Sequence, residues 1–290
     1  MANSMELAKK FVPLLDEVYK TASLTAVLDG AAELAQQGAN AGEMIVPMLE
    51  MQGLGDYDRN TGYAAGDVTL TNATVACNFD RGRMFTVDQM DNEESAGLAF
   101  GRLAGEFIRT KVVPELDAFR FASYASKAGI SKKEESLEDG SAVLAALRQA
   151  STQMDEAEVS LEERYLFITP TLYGMVQDLD MNKSRAVLER FAAVVQVPQT
   201  RFYTSITQKT GRTGQEAGGY EKAADGKELN FMILHKPALI QFEKHIAPKI
   251  IRPEANPEAD AYKFGYRNVG IADVYKNKLA GVYASYQAGA

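Results

Sequence analysis

A chain of 290 residues that is 46% hydrophobic and 24% charged can bury a sizeable core, as two compact units or one large domain with an extension, and this composition excludes disordered and collagenous classes. Thirty-nine acids against 31 bases leave a formal charge of −8, which argues against a surface devoted to gripping phosphates. Cys77 is the one cysteine, so no internal disulfide staples the fold, and with only two histidines there is little material for a nucleophilic or general-base site. No run reaches 18 apolar residues and the first 20 residues lack a signal-peptide core, so the expected setting is the cytoplasm, with no membrane contact.

The first 40 residues predict a short amphipathic segment (Leu7, Phe11, Leu14, Leu15 and Val18) and then a glycine-punctuated arm lying on something else. Residues 43–51 are extended in character, with Pro47 confining them to an edge or a bulge. A polar, glycine-rich tip follows to Asp67. Strand signal resumes at Val68 and runs to Val87, with a slip in phase between Leu70 and Ala73 that predicts a bulge. Residues 43–87 therefore predict a two-stranded ribbon with a loose tip, long enough at about 3.3 Å per residue to leave its own domain. Such a ribbon is marginal alone and should find its missing contacts on another chain. Over 43–70 it carries Glu43, Glu50, Asp56, Asp58 and Asp67 against Arg59, so its complement is a basic patch on a neighbour rather than DNA.

Asp91 and Glu94 form a capping box for a helix to about residue 127, a spine about 50 Å long that Pro114 must kink or divide. A second helix is predicted over 141–156. The α/β stretch that follows predicts a strand over 165–168, helices from Pro170 to Leu179 and over 184–193, and a strand near 201–205. Residues 207–228 predict a loop. Strands at 231–234 and 239–242, a proline-punctuated crossing (Pro248, Pro253, Pro257) and closing strands over 262–286 complete the chain.

Chemical motifs are scarce. There is no phosphate-binding loop, no nucleophile elbow and no paired cysteines, and His235 and His245 lack a ligand cluster around them. Asp178, Asp180, Asn182 and Glu189 follow much of a calcium-loop spacing, but Lys183 stands where the sharp turn needs glycine. Adjacent carboxylates such as Glu134-Glu135 and Glu162-Glu163 point apart on a helix and predict solvated faces or helix-start charges. No catalytic, cofactor or metal residues are assigned.

Three strings carry a resemblance: Asp80-Arg81-Gly82-Arg83-Met84-Phe85-Thr86-Val87-Asp88, then Met90-Asp91-Asn92-Glu93-Glu94 leading into the helix with Val112-Val113-Pro114-Glu115-Leu116-Asp117, and the closing Gly270-Ile271-Ala272-Asp273-Val274-Tyr275. Together with the acidic ribbon, the sequence resembles the major capsid protein of tailed bacteriophages, the Hong Kong 97-type coat fold. The resemblance implies an α+β phage-capsid fold: an N-terminal arm (1–42), an extended β-ribbon loop (43–87), a peripheral domain with the spine helix (88–130 and 256–290) and an axial domain (131–255). It implies a non-enzymatic virion protein, made in the host cytoplasm, that assembles with itself through hexamers and pentamers into an icosahedral head. Implied partners are a separate scaffolding protein, which the leading Met1 favours over a cleaved scaffolding region, and a portal, with packaged DNA touched weakly and non-specifically. Residues 43–83 contain no lysine, so a loop-lysine covalent chainmail is not expected. Asp56, Arg59, Arg81 and Arg83 are the candidate inter-subunit contacts. Two alternatives are an encapsulin-like nanocompartment shell and a soluble two-domain enzyme with a cation site at Asp178, Asp180 and Glu189.

Overall fold

A computed structural model describes residues 23–30, 36–37, 43–60, 62–63, 65–90, 98–179 and 181–288. The amphipathic segment read in the first 20 residues, the Asp91–Glu94 cap and Asp180 lie outside them.

One long helix organises the rest. It runs as α1 (Leu98–Phe107), a π turn (Ile108–Val112) and α2 (Val113–Ser126). Pro114 has no N–H to donate and its ring would strike the carbonyl four residues back, so the helix widens just before it: Val113 N–H reaches Ile108 O, five residues away. The helix is divided without being broken, and at about 1.5 Å per residue the described part spans roughly 40 Å.

Two sheets pack on this helix. An antiparallel sheet of β4 (Phe79–Asp88), β12 (Ala261–Val274) and β11 (Leu239–Ile251), with β12 in the centre, covers its N-terminal half. There Ile108, Val113 and Leu116 pack with Phe79, Phe264 and Tyr266. A mixed sheet in the order β5 (Ser131–Glu134), β13 (Val282–Tyr286), β10 (Leu229–His235), β6 (Arg164–Ile168), β7 (Ala193–Gln196) covers its C-terminal half. Phe121 sits edge-on to Phe167 and Phe202 there, at 5.1 and 5.0 Å. The far face of this sheet is closed by α3 (Gly140–Glu156) and α4 (Pro170–Gln177), with α5 (Met181–Leu188) beside them. Asp139 caps α3 by accepting from Ala142 N–H at 2.7 Å. Gly140 lets α3 meet α4 closely, since a Cβ there would lie 2.2 Å from Met175 O.

The ribbon is a separate sheet: β2 (Glu43–Met51) pairs with β3 (Val68–Ala76), and β1 (Gln36–Gln37) flanks β2 at Met44 and Ile45. Pro47 lies opposite Asn72, past the residues of β2 that pair with β1.

Several expectations are corrected. The ribbon ends at Ala76: Phe79–Asp88 belongs to the three-stranded sheet, because Phe79 and Phe85 face the helix and a strand with an apolar face is held there rather than left free. The register of β2 with β3 is uninterrupted, so the bulge between Leu70 and Ala73 is absent; alternation enforces register only where one face is buried. The helix expected over 184–193 ends at Leu188, and residues 193–196 are a strand parallel to β6, led in by Ala192 N–H bonding Arg164 O. The strand expected near 201–205 is a 3-10 turn and one bridge at Tyr203, while the expected loop holds a hairpin of β8 (Ile206–Gln208) and β9 (Tyr220–Lys222). Pro248 lies inside β11, tolerated because β11 is an edge strand. Leu239–Ile251 lies in the sheet on the N-terminal half of the helix, and Val282–Tyr286 in the five-stranded sheet.

Residues 23–30 are strapped across the helix by a buried polar knot. Asp117, fully buried, accepts from Ser23 Oγ (2.9 Å), Thr25 Oγ1 (2.7 Å) and the N–H groups of Leu24 and Thr25 (3.1 and 3.2 Å), with Arg201 at 3.3 Å. Arg120, one turn on, donates to Thr25 Oγ1 and pairs with Glu243 and Asp29. Gln241 donates to Thr25 O and Asp29, and receives the Tyr124 hydroxyl, whose pKa burial pushes up. Asp117→Ala should lower unfolding stability by about 3–5 kcal/mol, because it strands the Arg201 cation and unfastens the strap. Urea denaturation of the purified subunit is the check, and a loss under about 1 kcal/mol would mean that the strap is held elsewhere.

Candidate assembly surfaces

The ribbon tip is the most exposed part of the described chain. Leu54 and Tyr63 are about fully solvent-exposed, at 107% and 90%, and Met51, Tyr57 and Val68 are exposed as well. Its local shape comes from short-range bonds. Asp58 and Gly62 exchange backbone hydrogen bonds, Asp58 Oδ1 accepts from Asn60 N–H, and Gly62 takes a positive φ of 80° that glycine adopts without cost. The resulting loop sets Tyr57 and Tyr63 edge to face at 4.9 Å. Asp56 and Arg59 are both exposed on this tip.

On β4, the strand that follows the ribbon, Arg81 and Arg83 share one face, as alternate residues on a strand must. Both reach the loop between β8 and β9. Arg81 Nε donates to Glu115 Oε1 at 2.7 Å, and its Nη2 to Lys209 O at 2.7 Å and Gly219 O at 3.4 Å. Arg83 donates to Glu216 O (2.7 Å) and Ala217 O (3.2 Å). Gly218 makes room for it: its φ is +64°, and a Cβ there would lie 2.8 Å from Arg83 Nη1. Arg81 thus ties the β8–β9 loop to the long helix, and Arg83 ties it to β4.

Burial raises the Glu115 carboxyl above its usual range, and the Arg81 charge pulls it back. Tyr220 donates its hydroxyl to Thr200 O, and desolvation pushes its pKa to about 12. Between α1, the π turn, β4 and the β8–β9 loop lies an open cleft of about 1110 Å³, walled by Phe85, Phe107, Tyr203 and Tyr220 with Lys111 and Lys222 on its lining.

No protein-family model matches the sequence, and no curated protein matches it. Solved structures do. The chain is similar to "Capsid structure of the Cyanophage P-SCSP1u" at 13% identity and a TM-score of 0.58, covering 88% of this chain and 86% of the other. It is similar to a structure of Gordonia phage Cozz (12%, TM-score 0.59, 92% and 87% covered) and to "Crystal structure of virus-like particle from Pyrococcus furiosus" (12%, 0.59, 93% and 95%). The chain has the Hong Kong 97-type coat fold.

Of the four residues picked from the sequence of this coat-fold chain, Asp56 and Arg59 stand together on the tip, while Arg81 and Arg83 are engaged within the chain. Sequence reasoning missed Glu115, the partner of Arg81, although the Arg-x-Arg alternation already placed two cations on one strand face. It also missed Lys111, which has no carboxylate partner among the described residues. Among the described residues no three His, Cys, Asp or Glu side chains converge as metal ligands would, and Glu189, from the calcium-like spacing, accepts from Arg185 Nε at 2.6 Å.

Arg81→Ala should destabilise the subunit by about 2 kcal/mol at pH 7. Without the guanidinium the Glu115 pKa rises further. A raised carboxyl costs stability only where it must ionise, so the deficit should shrink as pH falls from 7 to 4. Thermal melts of both chains across that range test this, and a deficit independent of pH would mean that the ion pair contributes nothing.

Proposed function

We propose that this chain is the major capsid protein of a tailed bacteriophage, a structural rather than catalytic protein that assembles through hexamers and pentamers into an icosahedral head around DNA. The observation that carries the reading is the likeness, over most of the chain, to phage capsid structures, joined to a ribbon whose tip buries none of its large apolar side chains within its own subunit. A ribbon contact on one subunit and a different receiving surface on the next is head-to-tail, and head-to-tail contacts close into rings. In this reading β5, β6, β7, β10 and β13 with α3–α5 form the axial domain. The three-stranded sheet and the N-terminal half of the helix form the peripheral domain. Residues 43–76 are the extended loop and the strap opens from the N-terminal arm.

A separate scaffolding protein and a portal are the further partners, with weak, non-specific contact to packaged DNA. Asp56 and Arg59 are proposed as inter-subunit ion pairs. Arg81 and Arg83 act at the interface through the loop they hold. A shell without a phage genome, of the nanocompartment kind, is the second reading, favoured by the likeness to the Pyrococcus furiosus virus-like particle. The nature of the packaged material separates the two.

Negative-stain microscopy of the purified protein, alone and co-expressed with its scaffolding partner, should reveal closed shells; a strictly monomeric species under all conditions overturns the reading. Deleting residues 53–66 should leave a folded, soluble subunit with an unchanged melting temperature that forms no stable shells. Unfolding on that deletion would mean that the tip serves its own subunit.

A further inference from the structure

We propose that the cleft beside the π turn binds an adenine nucleotide, with the base paired to the carboxamide of Asn268 between aromatic walls and the phosphate meeting Lys111 and Lys222. The site lies within one chain, so the inference stands apart from the shell reading and is tested without it.

Asn268 is the residue that points to a ligand. It shares the helix-facing side of β12 with Phe264 and Tyr266, lines the cleft, and is 1% exposed. Neither its Oδ1 nor its Nδ2 has a hydrogen-bond partner among the described residues. A buried carboxamide with both ends unmet is costly. Arg81, directly across the sheet from it, is already committed to Glu115 and to the β8–β9 loop.

Such a group is satisfied by a ligand edge that sets a donor beside an acceptor. Adenine does so with its N6 amino group and N7, and asparagine pairs with that edge through both of its polar atoms. Guanine presents two acceptors on the same edge, which would leave the Asn268 oxygen unmet. The polar atoms of Asn268 meet almost no solvent in the free chain, so its side chain turns into the cleft as the base seats.

The walls suit the ring. Phe85 and Phe107, in edge contact at 4.7 Å, come from β4 and α1, while Tyr203 and Tyr220 come from either side of the β8–β9 hairpin. Aromatic faces of this kind stack bases, and about 1110 Å³ leaves room for the sugar and phosphate as well.

Charge agrees. The chain is acidic as a whole, so a phosphate is drawn only to a place where cations collect. The carboxylates on the lining are already paired: Glu106 with Arg109, Glu115 with Arg81 and Glu221 with Lys209. Lys111 is exposed on the lining and has no carboxylate partner among the described residues. Lys222 is held only loosely by Glu228, at 3.8 Å.

Isothermal titration calorimetry of the purified full chain with adenosine 5′-monophosphate, guanosine 5′-monophosphate and inorganic phosphate is the test. The adenine nucleotide should bind saturably and about tenfold more tightly than the guanine nucleotide, with no saturable binding of phosphate alone. Absence of heat with the adenine nucleotide at millimolar concentration overturns the inference, and so does an equal affinity for phosphate alone. Lys111→Glu should weaken adenine nucleotide binding about tenfold at an unchanged melting temperature. Asn268→Leu keeps the side chain's bulk and removes the unmet groups, so it should raise the melting temperature and abolish the preference for adenine. A variant that melts lower and still prefers adenine would show that the carboxamide serves the fold alone, and the proposal would fall. A short deoxyadenosine oligomer distinguishes the sources of the ligand: tighter binding than the mononucleotide assigns the site to single-stranded DNA, and weaker binding assigns it to the free nucleotide.

Discussion

A carboxylate with no exposure, Asp117, sits in the middle of the long helix, and the arrangement of the chain around that point follows from the need to satisfy it. Four donors from Ser23, Leu24 and Thr25 converge on it, with Arg201 beside them. An unpaired carboxylate there would be prohibitively costly, so the helix cannot fold to completion without the strap or without the turn that delivers Arg201. Arg120 extends the same demand to β11 through Glu243, at the place where the β11–β12 register shifts between Glu243 and His245. Parts far apart in sequence are thus fixed to two successive turns of one helix. The two sheets share that helix, and its polar centre lies between their apolar cores.

The same helix explains why the ribbon can be spared from the core. Phe79 and Phe85 anchor β4 against α1, and two residues separate β4 from β3. The ribbon therefore leaves a rigid base, and near that base Val75 packs on Ile240, Phe242 and Ile271. A two-stranded ribbon is marginal by itself. In a shell, covering it would make association cooperative, since the free subunit would keep part of its stabilisation in reserve until then.

Element types were legible where a buried face imposed a period. Val143 and Leu147 announced α3, and the apolar runs at 165–168 and 231–234 announced the central strands of the five-stranded sheet. Reading failed where two elements of different period met without a glycine or proline between them. Residues 189–196 are an instance: helix gives way at Arg190 to a strand whose pairing with β6 is tertiary and invisible locally. The sheet membership of β4, β11 and β13 was equally hidden, since a strand's alternation does not name its neighbour. For the assembly surfaces, the tip was legible from its glycines and acids, because nothing packs on it. The cleft was not, because it exists only when Glu115, β4 and residues 209–219 are brought together across the fold. Adjacent acids misled as well: Glu135 was read as solvated with Glu134, yet it accepts from Lys133 and Ser285 and is largely buried.

The charge of −8 is unevenly placed, and the unevenness has a physical reading. Arginine is chosen where several acceptors must be held at once, and here Arg81, Arg120 and Arg164 each bond two or more groups of their own chain. A guanidinium spent in this way offers little to an outside phosphate. The acids of the tip, by contrast, make few bonds and stay in water, so part of the chain's excess negative charge is presented on its exposed tip. Two such tips brought together repel, so a symmetric tip-to-tip contact is disfavoured.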